Sequence, residues 1–153
     1  SWKWGGYGNF ARHFMGEFQV DQYTILDTST MLRFSCKFLE HFGYENVEYI
    51  EAENFKKVFG RSYDLFVSFI CLSETPHWYR EKILSNTLPN TKSLFVIDGH
   101  GPYRKNLSTE ENTPGFNNWL TNTIRWNFPR FKKKRSLAKI HHQEFQYMFI
   151  GKK

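Results

Sequence analysis

The chain has 153 residues, a formal net charge of +6, and a composition that is 40% hydrophobic and 19% aromatic, with 16 Phe, 8 Tyr and 5 Trp. That length suits one domain with a proper core. No apolar run is long enough to span a membrane and no basic-then-apolar leader opens the chain, which predicts a soluble, cytoplasmic protein. Ser1 stands where a Met would open a complete chain, so residues 1–153 are expected to form a single domain that is a fragment lacking its N-terminal part.

Near the start, Gly5-Gly6-Tyr7-Gly8-Asn9-Phe10-Ala11 satisfies the G-x-G-x-x-G/A spacing, and Asp27 lies 19 residues past Gly8. Together they read as a nucleotide-cofactor signature. A strand turns sharply into a helix, the glycine backbone comes close to a ligand that a Cβ would block, and the acid binds ribose hydroxyls. Phe10, Phe14 and Phe18 follow at i, i+4, i+8, the stripe of a helix that packs on a sheet.

Tyr23 to Leu26 reads as a short strand ending at Asp27, and Thr28-Ser29-Thr30 supplies capping hydroxyls for a helix through Met31, Phe34, Phe38, Leu39 and Phe42, closed by Gly43. Val47 to Ile50 predicts a third strand that runs into Glu51-Ala52-Glu53 and a turn of helix around Phe55 to Phe59. Leu65 to Ile70, behind Asp64, is a continuous apolar run of the kind buried on both faces of a parallel sheet. With Thr75 as cap and Pro76 at its first position, a helix is expected from about His77 to Leu88.

Leu94 to Ile97 reads as a fifth strand, ending at Asp98-Gly99-His100. The polar stretch from Tyr103 to Thr113 predicts a loop over the carboxyl ends of the strands. A helix with Phe116, Trp119, Leu120, Thr123 and Ile124 inward follows, then a basic segment read as a solvated loop or helix face. Leu137 to Ile140 and Phe145 to Ile150 are the expected final strand pair. Alternating strands and helices in this order predict an α/β fold, a mostly parallel sheet with helices on both faces, whose first strand is truncated. Cys36 and Cys71 have no metal-ligand spacing and read as free, buried thiols in a reducing compartment, with no metal centre.

Gly5-Gly6-Tyr7-Gly8, Tyr23-Thr24-Ile25-Leu26-Asp27, Tyr63-Asp64-Leu65-Phe66 and Leu72-Ser73-Glu74 follow one another as in a known group. Over roughly positions 5 to 100 the chain resembles the Rossmann-like S-adenosylmethionine-dependent methyltransferases, and in particular the sugar O-methyltransferases of bacterial surface-polysaccharide clusters. Trp2 and Trp4 stand where that group has a Glu and its first glycine, and Ser73 and Glu74 are adjacent where it spaces them. The resemblance implies S-adenosyl-L-methionine as cofactor. Gly6 and Gly8 would pass under its methionine moiety, Asp27 would bind the ribose, and Glu51 with the backbone of Ala52 would face the adenine. Ser73 and Glu74 would sit beside the transferred methyl.

Methyl transfer to a hydroxyl needs an aligned acceptor, a base and little water. His100 is the first choice as base because it directly follows the fifth strand and its ordinary pKa is near neutrality. Glu74 and Asp98 are the alternates, while His77, His141 and His142 are weaker candidates. The expected acceptor is a sugar or other small hydroxyl compound. A nicotinamide-dependent oxidoreductase is a lower-ranked reading, since its cofactor needs a second nucleotide-binding half. A nucleic-acid-binding module, or an inactive Rossmann-like one, is the other rival. It would contact phosphate through Arg130, Lys132, Lys133, Lys134 and Arg135, with Trp126, Phe128 and Phe131 as stacking partners.

Overall fold

Side chains alternate across a strand, so a sheet covered on both faces needs two separate sets of apolar partners. The computed structural model describes residues 2–4, 7–69, 71–72, 75–98, 116–130, 132–135 and 147–153, and within them both sets are present. The elements are β1 (Trp2–Trp4), α1 (Asn9–Glu17), β2 (Tyr23–Asp27), α2 (Ser29–His41), β3 (Val47–Glu51), a 3-10 segment (Ala52–Val58), β4 (Tyr63–Phe69), α3 (His77–Thr87), β5 (Thr91–Asp98), α4 (Phe116–Asn127), β6 (Lys132–Arg135) and β7 (Tyr147–Lys152).

The seven strands form one sheet in the order β3-β2-β1-β4-β5-β7-β6. The pairs from β3 through β5 are parallel, and β7 runs antiparallel to both β5 and β6. Short as it is, β1 is central: Trp2, Lys3 and Trp4 pair with Thr24–Leu26 on one side and Phe66–Ser68 on the other.

On one face, Ala11 of α1 and Leu32 and Leu39 of α2 pack against Tyr23 and Ile25 of β2. On the other, Leu26, Ile50, Phe66, Leu94 and Val96 meet the 3-10 segment, α3 and α4 through Phe55, Ile83, Leu84, Leu120 and Ile124. Phe128, just past α4, is fully buried there, and Gly151 of β7 makes room for it. A Cβ at Gly151 would sit 2.9 Å from Phe128 Cβ and Cγ.

Several expectations need correction. The basic segment is neither loop nor helix face at Lys132–Arg135: these four residues are the edge strand β6, paired with Tyr147–Ile150, and the expected strand at Leu137 to Ile140 lies outside the described residues. Cationic side chains suit a sheet edge because they discourage pairing with another chain. The aromatic stripes turn only partly inward. Phe18, Phe34 and Phe42 are 59%, 61% and 45% exposed, and α2 instead buries Leu32, Ser35 and Leu39. No side chain caps α2, and Pro76 is itself the cap residue of α3 rather than its first helical position. The two cysteines are free but only half-buried, Cys36 donating to Glu40 Oε1 at 3.0 Å and Cys71 to the Phe69 carbonyl at 2.8 Å.

Tyr23 is fully buried and its hydroxyl meets no partner among the described residues. Burial pushes its phenol well above the ordinary value of 10.0, so the folded chain retains a proton that the unfolded chain loses. Its contribution to stability is therefore intact below about pH 10 and declines as the pH rises beyond it. Tyr23→Phe removes the orphan hydroxyl and should raise stability by about 1 kcal/mol. Thermal melts between about pH 9 and about pH 11 should show a shallower alkaline decline in the variant; a less stable Phe variant would refute the orphan assignment.

Candidate functional site

Open α/β sheets bind ligands at the carboxyl ends of their strands, where the connecting loops diverge. On this edge Asp27 and Glu51 end β2 and β3 directly opposite one another in the ladder register. Asp27 is buried, with Oδ1 accepting the Thr28 N–H at 2.7 Å, whereas Glu51 is exposed and lies 3.5 Å from Asn54 Nδ2 through Oε2. One carboxylate is thus held rigidly by the backbone beside a second that reaches solvent.

Gly8 leads from the β1 exit into α1 and adopts φ 94°, a left-handed conformation that strains any residue with a side chain. A Cβ there would also stand 3.2 Å from Leu39 Cγ and 3.3 Å from Leu39 Cδ1. The left-handed backbone and the close packing of α2 on the turn both exclude a side chain at Gly8. No side chain caps α1 and its first turn carries no acid. Its leading N–H groups thus keep the partial positive charge that attracts an anion.

Tyr79 of α3 closes the floor beside these acids. Its hydroxyl donates to the Ala52 carbonyl at 2.6 Å, and its ring packs on Phe55 at 4.7 Å between centroids. Burial raises the phenol pKa, and the Glu53 and Asp27 carboxylates raise it further, which keeps the hydroxyl a neutral donor.

Across β1, the turn leaving β4 is held from two sides. Asp98 is fully buried at the end of β5, and its Oδ2 accepts the Leu72 N–H at 2.8 Å. Arg80, also fully buried, donates through Nη1 to the Leu72 carbonyl at 3.1 Å and the Thr75 carbonyl at 3.0 Å. Burial lowers the pKa of its guanidinium, against the opposing pull of Asp98. The Thr75 hydroxyl donates to the Cys71 carbonyl at 2.5 Å. The residues flanking Ser73 and Glu74 are therefore firmly positioned.

Of the residues singled out in the sequence, Gly8, Asp27, Glu51, Ala52 and Asp98 lie on this edge, while Gly5, Gly6, Ser73, Glu74 and His100 fall outside the described residues. Sequence reasoning missed Tyr79 and Arg80. A signal for Arg80 existed: it shares the buried face of α3 with Ile83, Leu84 and Thr87, an odd place for a cation. In the basic segment Arg130 and Lys132 are exposed, and Trp126 is 88% exposed. Phe128, expected as a stacking partner, is instead part of the core.

No protein-family model matches the sequence, and no curated protein matches it by sequence. Solved structures do match in three dimensions. The methyltransferase domain of bacterial CtHen1 aligns with a TM-score of 0.70 at 10% identity, over 99% of this chain and 89% of that one. The fold is that of the Rossmann-like methyltransferases. An O-methyltransferase family protein from Burkholderia thailandensis gives a TM-score of 0.65 at 15% identity, and the N-terminal domain of EvdMO1, solved with SAH bound, gives 0.64 at 11%. This chain covers 50% and 73% of those two, and 48% of the mitomycin 7-O-methyltransferase MmcR.

Within this methyltransferase fold the β4 exit is held by two buried charged side chains, Arg80 and Asp98, that also interact electrostatically. Arg80→Met should cost about 3–5 kcal/mol by urea unfolding, because it strands the Asp98 carboxylate. In an Asp98→Asn background the same change should cost clearly less; equal costs would mean the two do not interact. Gly8→Ala should cost about 1–3 kcal/mol through backbone strain and contact with Leu39.

Proposed function

We propose that the chain is an S-adenosyl-L-methionine-dependent methyltransferase acting on a hydroxyl of a sugar or other small acceptor. The observation that carries the reading is the register pair Asp27 and Glu51 beside the left-handed turn at Gly8, on a sheet with methyltransferase strand order. The donor set fits the cofactor. A buried carboxylate suits ribose hydroxyls, the uncapped start of α1 suits the methionine carboxylate, and the Glu51–Ala52 turn backed by Tyr79 suits adenine. When bound, the cofactor supplies an electrophilic methyl on a sulfonium.

The protein's part is to orient the acceptor, exclude water and take the hydroxyl proton. His100 is the base we favour, with Glu74 as alternate, because the Asp98 carboxylate is engaged by the Leu72 N–H and is fully buried. Asp98 then acts as a positioning residue for Leu72, next in sequence to Ser73. The neighbours whose names include O-methyltransferase support a hydroxyl acceptor, and the sugar rests on the sequence resemblance.

Isothermal calorimetry with S-adenosylhomocysteine should give a saturable isotherm, and NAD should give none. Asp27→Ala should weaken that binding by about 1.5–3 kcal/mol, the value of a hydrogen bond to a charged group. Binding of single-stranded nucleic acid with steep salt dependence, and of neither nucleotide, would sink the proposal.

A further inference from the structure

Between α3 and α4, on the face of the sheet opposite α1 and α2, lies a cleft of about 430 Å³. Glu81 and Ser85 line one wall with Pro89, and Trp119, Thr123, Trp126 and Asn127 line the other. Trp119 and Trp126 are seven residues apart on α4, two turns along one side of the helix, which sets them ~10 Å apart along its axis. That is about the length of two linked sugar rings.

The two indoles differ in a useful way. Trp119 is half-buried and braced, with the Arg80 guanidinium 5.2 Å from its ring centroid and the His77 ring edge-on at 5.3 Å. Trp126 is 88% exposed, a large apolar surface that contributes almost nothing to the core. Around them stand hydroxyls, an amide and one carboxylate. Among the described residues lining the cleft none is cationic, and Glu81 would repel a phosphate chain. Indole faces stack on the C–H faces of pyranose rings, while the neutral polar groups and the carboxylate bond ring hydroxyls.

The cleft also connects to the candidate site. Arg80 covers Trp119 while donating to the Leu72 and Thr75 carbonyls, so the Trp119 end of the cleft abuts the turn leaving β4. We propose that the α3–α4 cleft is a subsite for a neutral oligosaccharide, holding two sugar units between Trp119 and Trp126. Its role in feeding an acceptor hydroxyl to the strand edge rests on the methyltransferase reading; the binding itself does not.

The test titrates the chain with cellohexaose, mannohexaose and maltohexaose, observing the indole N–H resonances of Trp119 and Trp126 by NMR. At least one probe should shift both saturably with a Kd of about 0.1–10 mM, and the affinity should change little between about 50 and about 500 mM NaCl. Trp126→Ala, at a site too exposed to threaten folding, should weaken that binding at least about tenfold and leave the S-adenosylhomocysteine isotherm unchanged. Silence of both indoles at about 10 mM of every probe overturns the subsite, as does unchanged affinity in Trp126→Ala. A response of these indoles to oligouridylate alone, falling steeply with salt, overturns it in favour of nucleic acid. Sugar binding without S-adenosylhomocysteine binding would leave the subsite standing and remove the methyltransferase reading.

Discussion

Three residues hold the two halves of the sheet together. With β1 between β2 and β4, the β3-β2 half and the β4-β5-β7-β6 half meet only through the ladders at Trp2, Lys3 and Trp4 among the described residues of the sheet. The candidate site straddles that seam: Asp27, Glu51 and Gly8 belong to one side, and Leu72, Thr75 and Asp98 to the other. Tyr79 supplies a second tie, since it rides on α3 over the larger half and donates to Ala52 at the end of the smaller one. The spacing between the acids and the β4 exit is thereby fixed from above and from within the sheet.

The charged groups at this edge are costly to bury. An arginine and an aspartate that are both fully buried lose their hydration, and such a pair often contributes little net stability compared with apolar residues of the same size. What the pair does supply is geometry: Asp98 fixes the N–H of Leu72 while Arg80 fixes its carbonyl, so one peptide segment is gripped at both polar atoms. Stability is given up where position matters. Tyr79 and Arg80, whose pKa values burial shifts in opposite directions, both stand at this edge, and groups perturbed in this way are found at functional sites.

Periodicity made most of the architecture legible. The continuous apolar run at Leu65 to Phe69 is the strand buried on both faces, and the glycine-to-acid spacing located the Gly8 turn and Asp27. Lys132 to Arg135 could not be read as a strand, because four successive cations carry no apolar alternation; a strand at the edge needs none, as β7 supplies its only ladder among the described residues. The Phe34 and Phe42 rings misled for the opposite reason: they are large and apolar yet lie off the face that Leu32 and Leu39 bury. Tyr79 and Arg80 escaped notice because their partners, Ala52 and Leu72, are 27 and 8 residues away and are backbone carbonyls, which leave no side-chain signature in a sequence.

Position at the carboxyl end of the sheet is set by bonds between elements as well as within them. At the carboxyl end, hydrogen bonds from Tyr79, Arg80 and Leu72 cross between elements. Asp27 and Glu51 stand in register at this cross-tied edge, and a site that aligns two reactants depends on such fixed spacing.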